Sequence, residues 1–164
     1  MTIKFITTGG TIDKIYFDAS SDYQIGEPII DELMGEANTG LTYKVQSVLK
    51  KDSLDMDDKD RDVIYKAVEN SVTSRIIITH GTDTMVETAT RLASIEGKTI
   101  VLFGAMQPAR MRHSDAVFNL GFAVACVQTL PEGVYIAMNG QVFTPDNVAK
   151  NRALSRFESI EENS

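Results

Sequence analysis

Five short apolar runs punctuate the chain: Ile3–Thr8, Tyr43–Leu49, Arg75–Thr79, Thr99–Phe103 and Val134–Met138. RIIIT and TIVLF are nearly unbroken, as expected of strands covered on both faces. Between the runs lie four segments of helical character: EPIIDELMGEA, DDKDRDVIYKAVENS, TMVETATRLASIEG and HSDAVFNLGFAVACVQTL. In the third, Met85, Ala89, Leu92 and Ala93 recur at helical spacing, Thr84 and Glu87 have the spacing of a capping box, and Gly97 supplies a stop. The fourth opens at Ser114–Asp115, where a side chain can cap the first turn. It is apolar on nearly every face, which calls for deep burial or a contact between subunits. Strand and helix alternate four times, so the pattern predicts a parallel α/β sheet with right-handed crossovers.

Two stretches stand outside that alternation. Asp13–Gly26 is polar, mixed and without period, and reads as a long surface loop of the kind that serves as an active-site lid. From Asn139 the chain turns through MNGQVFTPDN and ends in the acidic SIEENS, expected to fray. No repeat or linker divides the 164 residues, which are read as one domain. The net charge of −7 excludes a general binder of nucleic acid or anionic membrane. Cys126 is the only cysteine, so no intrachain disulfide forms, and its apolar surroundings predict a buried, inert thiol. With no signal-like or membrane-spanning stretch, a cytoplasmic location is the default expectation.

Ligands of an open parallel sheet bind beyond the carboxyl ends of its strands. Four such ends carry polar residues: TTGGT with Thr11, KKDSLDM with Ser53 and Asp55, THGTDTM with Thr82 and Asp83, and GAMQPARMRHSD. Each has a plainer reading. Gly9–Gly10 could make only a tight turn, and no phosphate-loop signature is present. Thr82–Asp83–Thr84 could be a helix N-cap cluster, and Ser53 and Asp55 could cap the helix starting near Asp57. Asp57, Asp58 and Asp60 look like first-turn charges favouring the helix dipole. His80 and His113 lack metal-ligand spacing and read as structural or exposed. Hydroxyls at three consecutive strand ends together with Asp83 are harder to explain so plainly.

TTGGTI, DSLDM, THGTDTM and GAMQP, in that order, resemble the bacterial-type L-asparaginases, amidohydrolases that convert asparagine, and often glutamine, to the acid and ammonia. Asp52–Ser53 is more similar to the cytoplasmic members. The resemblance implies a three-layer, doubly wound, flavodoxin-like parallel sheet. It matches Thr11 to the nucleophile, Tyr23 to the tyrosine of the closing loop, and Ser53 to the holder of the substrate α-carboxylate. Thr82 and Asp83 match the second threonine and the aspartate of the signature, and Lys150 the lysine that completes a Thr–Asp–Lys group. The Ala105 carbonyl matches the acceptor for the substrate's side-chain amide. Family members carry a second domain that helps complete a neighbouring subunit's site. Residues 1–164 correspond to the first alone, and the chain is expected to be a compact single-domain form. Leu54 stands where the family usually has a small polar residue.

A threonine hydroxyl becomes a nucleophile when a neighbouring base takes its proton. Lys150 is that base only when neutral, and Asp83 beside it favours the ammonium. One resolution has Asp83 bind the substrate amine while Thr82 relays the proton. Thr11 then attacks the amide carbonyl. Backbone N–H groups at the Gly10–Thr11 turn or at Thr82 stabilise the oxyanion, and Thr82 is the alternative nucleophile. No cofactor or metal is expected. The partner is a small-molecule substrate rather than nucleic acid or membrane, and the apolar segment 114–130 suggests a homodimer or homotetramer. Competing readings are a hydrolase of glutamine, a D-isomer or a larger amide, a non-catalytic amino-acid-binding module, and a nucleotide-binding domain.

Overall fold

In the computed structural model, which describes residues 1–161, fourteen principal elements follow one another. They are β1 (Thr2–Gly9), β2 (Lys14–Phe17), β3 (Asp22–Ile25), α1 (Ile30–Glu36), β4 (Thr42–Lys51), α2 (Asp58–Glu69), β5 (Arg75–Thr79), α3 (Met85–Leu92), β6 (Thr99–Phe103), α4 (Ala116–Thr129), β7 (Gly133–Met138), β8 (Gln141–Phe143), β9 (Ala149–Asn151) and β10 (Arg156–Glu158). The main sheet has the order β4-β1-β5-β6-β7-β8. Its first five strands are parallel, and β8 runs antiparallel to β7. Counting only the parallel strands, the order is 2-1-3-4-5, the flavodoxin-like arrangement, and its topological switch point lies between β1 and β5.

The apolar runs form the centre of this sheet. Ile76, Ile77 and Ile78 on β5 and Ile100 to Phe103 on β6 are fully buried, because helices cover both faces. Lys4 of β1 donates to the Ala67 carbonyl of α2, and His80 meets Thr88 of α3, which places those helices on one face. Arg75 points to the other face and donates to the Val127 and Leu130 carbonyls at the end of α4. Each buried Ile or Leu contributes about 1.5–3 kcal/mol.

Several local expectations need correction. The stretch Asp13–Gly26 is not an irregular loop but an antiparallel hairpin, in which Tyr16 opposes Tyr23 edge to face at 5.4 Å. Its polar alternation hid the period because both faces are largely in water. The Thr84–Glu87 capping box does not form: the Thr84 hydroxyl instead donates to the Ser53 carbonyl at 2.8 Å. Helix α3 ends at Leu92, and Gly97, with φ +74°, serves the later turn into β6. Ser53 and Asp55 do not cap α2. Asp57 does, reciprocally with Asp60, whose carboxylate also binds Lys51 at 2.8 Å. At α4 the Ser114 hydroxyl accepts from the Ala116 N–H, while the Asp115 carboxylate accepts the Met106 N–H of the preceding loop instead of capping the helix backbone.

Beyond Met138 the chain is more ordered than its composition suggests. Asn139 and Gly140 both have positive φ, as a two-residue hairpin turn requires, and this turn returns the chain as β8. Strands β9 and β10 then form a second small ribbon. The last three residues of the SIEENS terminus lie outside those described. Helix α4 is buried along one side, through Leu120, Ala123, Cys126 and Val127, whereas Val117 and Phe118 are exposed.

The carboxyl ends of β1, β4 and β5 meet through glycine. Gly10, at φ +86°, would place a Cβ 2.5 Å from the Gly81 nitrogen and 2.7 Å from its Cα, both backbone atoms that cannot yield cheaply. Gly97 has a comparable φ but open space around it. Gly10→Ala is therefore expected to cost roughly 3 kcal/mol or more, strain and overlap combined, and Gly97→Ala about 1 kcal/mol. Urea unfolding of the two variants beside wild type measures the difference.

Candidate active site

The switch point between β1 and β5 is closed by three short loops. The Thr8 hydroxyl donates to the Thr79 carbonyl at 2.7 Å, tying the two strand ends together inside the core. The Gly10 N–H donates to the Lys51 carbonyl at 2.9 Å, which joins the β1 loop to the end of β4. A Cβ at Gly81 would fall 2.6 Å from the Ser53 hydroxyl oxygen. The loops of β1, β4 and β5 thus touch backbone to backbone.

Three of the predicted residues come together directly. Lys150 Nζ donates to Thr82 Oγ1 at 2.7 Å and to Asp83 Oδ1 at 2.8 Å. Thr82 is 6% exposed, and the Lys150 and Asp83 side chains are largely shielded from water. Lys150 arrives on β9, 67 residues after Asp83, so this contact joins the small ribbon to the main sheet. Arg152, which sequence reasoning missed, also reaches Asp83 Oδ1, at 3.3 Å.

Ser53 is buried, and its hydroxyl oxygen accepts the Thr84 N–H at 3.3 Å. Thr11 opens a short 3-10 turn next to Gly10 and is half-buried. Among the described residues its hydroxyl makes no hydrogen bond, so the structure brings its loop against Gly81, the neighbour of Thr82, without a hydrogen bond from Thr11 to Thr82 or Lys150. Tyr23 lies apart from that group. It lines a groove of about 560 Å³ between the β2–β3 hairpin and the end of β4, together with Lys14, Asp52 and Asp55. Thr82, Asp83 and Lys150 do not line that groove. The Lys150–Thr82–Asp83 cluster lies outside it, with an amine, a hydroxyl and a carboxylate in hydrogen-bond contact.

Ala105 is buried, in a loop held from outside. The Asp115 carboxylate accepts the Met106 and Gln107 N–H groups at 2.9–3.1 Å, and Asn119 donates to both the Gly104 carbonyl and Asp115. Asp115 and Asn119 lie four apart on one helix face. That spacing was the available signal for their role.

Two buried titratable groups frame these loops. The His80 Nδ1–H donates to the Gly81 carbonyl and Nε2 accepts from the Thr88 hydroxyl, each at 2.7 Å. Complete burial holds its pKa down at about 4. Asp13 accepts the Ile29 N–H at 3.0 Å, and burial raises its pKa to about 6. The tie between the hairpin and the Ser53 loop is Lys14–Asp52, at 3.1 Å. Burial opposes the Asp52 charge, but the Leu54 N–H and Lys14 outweigh it and hold the carboxyl below its ordinary range.

With this geometry established, comparison with known proteins places the chain. The family model for the asparaginase N-terminal domain matches residues 2–164. A probable periplasmic L-asparaginase of Haemophilus influenzae is 35% identical over 160 residues, covering 90% of this chain and 46% of its own length. A glutaminase-asparaginase of Acinetobacter glutaminasificans is 36% identical, covering 90% and 49%. Among solved structures, the thermostable L-asparaginase of Thermococcus kodakarensis superposes with a TM-score of 0.85 at 27% identity, covering 98% of this chain and 51% of that one. A probable cytoplasmic L-asparaginase of Campylobacter jejuni gives 0.80 at 29% identity, covering 96% and 51%. The chain belongs to the asparaginase family and spans about half the length of the relatives it matches. No helix among the described residues is long and apolar enough to cross a membrane.

The two buried groups give opposed pH dependences. Asp13, with its pKa raised, is destabilised as pH rises from about 4 to 6. His80, with its pKa lowered, gains stability as pH rises from about 4 to 6.5. Each effect is of the order of 3 kcal/mol, so the two nearly cancel in wild type. In urea titrations across pH 4–6.5, Asp13→Asn is expected to become more stable with rising pH and His80→Gln less stable.

Proposed function

We propose that this chain hydrolyses the side-chain amide of L-asparagine to aspartate and ammonia, with glutamine as the alternative substrate. The observation that carries the reading is the contact of Lys150 with both Thr82 and Asp83, beside the Gly10–Thr11 turn at the switch point. The names of the relatives, which include both asparaginases and glutaminase-asparaginases, agree with it.

Thr11 Oγ1 attacks the amide carbon, and its proton passes through Thr82 to the amine of Lys150. The tetrahedral oxyanion collapses as the C–N bond breaks. Ammonia leaves with the proton returned through the same pair, and a threonyl ester remains. Water then attacks that ester, giving the acid and the free hydroxyl. Asp83 binds the substrate's ammonium, Ser53 its carboxylate, and the Ala105 carbonyl the amide N–H. Tyr23 is carried in by movement of the hairpin, whose exposed strands rest on few buried side chains. A second reading takes Thr82 as the nucleophile, favoured by its direct bond to Lys150.

Ammonia release from L-Asn, L-Gln and D-Asn tests the reading. Thr11→Val and Lys150→Met are each expected to lower kcat by 10²–10⁴-fold, and unchanged turnover in both would sink the mechanism. Acylation mapped by mass spectrometry identifies which threonine carries the ester.

The exposed strip of Val117 and Phe118 on α4 suits contact between copies of this chain. Sedimentation is expected to show a dimer or tetramer that Phe118→Glu shifts toward monomer.

A further inference from the structure

Asp83 faces two cations. Lys150 lies on β9 and Arg152 just beyond its end, and both side chains reach the same carboxylate. The intervening Asn151 turns away and fixes the ribbon. Its Nδ2 donates to Glu158 at 3.1 Å, and its Oδ1 accepts the Leu154 N–H. Arg156 pairs with the same Glu158 at 2.6 Å. The ribbon thus presents Lys150 at 2.8 Å and Arg152 at 3.3 Å to a single carboxylate oxygen.

The two cations differ in setting. The Lys150 side chain is 15% exposed, whereas that of Arg152 is 65% exposed. Lys150 is hydrogen-bonded to Thr82 and fixed. Arg152 holds an outer position in water, where an ion pair is weak and displaceable. In the resting pair Lys150 is the ammonium and Asp83 the carboxylate, so the two are neutral and Arg152 adds one positive charge. In the amine form that accepts the Thr11 proton the group carries one positive charge fewer, and that of Arg152 stays in place. A ligand ammonium approaching Asp83 therefore meets a second cation 3.3 Å from the same carboxylate oxygen, whereas a ligand without an ammonium meets no like charge there.

We propose that Arg152 is a specificity-determining residue, an internal competitor for the ligand ammonium at Asp83 that disfavours α-amino ligands relative to their des-amino counterparts. The proposal rests on the amine-binding role given to Asp83 above. Arg152 touches neither Thr82 nor Thr11 through any bond described, so its effect falls on ligand binding rather than on bond cleavage.

The test uses Arg152→Lys, Arg152→Gln and Arg152→Glu, with folding checked by thermal melts. L-Aspartate and succinate, which differ only by the ammonium, are the calorimetric probes. L-asparagine and succinamate are the matching amides. Arg152→Gln is expected to tighten L-aspartate by about 3–10-fold and Arg152→Glu further, with Arg152→Lys near wild type. Succinate is expected not to tighten in either variant. KM for L-asparagine falls in parallel while kcat holds within about twofold, and the gain shrinks at high salt. Unchanged L-aspartate affinity in both Arg152→Gln and Arg152→Glu, or parallel tightening of succinate, overturns the proposal. If wild type hydrolyses neither amide while L-aspartate binding follows the charge at position 152, the hydrolase reading fails and this one stands.

Discussion

Gly10 lays its α-carbon against the backbone of Gly81, and Gly81 in turn faces the Ser53 hydroxyl. Everything polar at the switch point depends on that succession of close approaches. A side chain at either glycine would push the loops of β1, β4 and β5 apart. Thr82 and Asp83 would then move relative to Thr11 and Ser53. Residues whose side chains do no chemistry therefore set the scale of the site, because three loops must share a space that fits only backbone. The bond from the Thr8 hydroxyl to the Thr79 carbonyl holds the strands beneath them at the same separation.

Much of this was legible in the sequence. The parallel strands could be read from continuous apolar runs such as RIIIT and TIVLF, since a buried strand must be apolar on both faces. The polar strand ends could be read because chemistry collects where β-structure stops. The hairpin at Lys14–Ile25 escaped because its exposed strands carry no apolar alternation, and β8 to β10 because three-residue strands are too short to show a period. Thr84 was misjudged for a different reason. Capping-box spacing is a local signal, and a partner 31 residues away, the Ser53 carbonyl, took its hydroxyl instead. Arg152 gave no signal at all, because its significance comes from the fold of the ribbon that carries it.

Buried and half-buried polar groups fix the loops by holding their backbone N–H and carbonyl groups. His80 is held neutral, and its single N–H fixes the Gly81 carbonyl on one side while Thr88 fixes the ring on the other. Asp13 takes the N–H of Ile29 beside the base of the hairpin. Asp115 collects the N–H groups of Met106 and Gln107 around the far wall. Each device satisfies backbone groups that a tight, glycine-rich turn leaves without partners in the sheet ladder. The loops are thus held by polar residues outside the Thr82–Asp83–Lys150 contact.

Lys150 reaches Thr82 and Asp83 only after the chain has laid down β7, reversed at Asn139–Gly140 and formed the ribbon. The sheet, the glycine contacts and the Thr8–Thr79 bond make no use of that ribbon. A shift of the ribbon would therefore withdraw the amine from Thr82 and Asp83 while leaving the loops of β1, β4 and β5 in place.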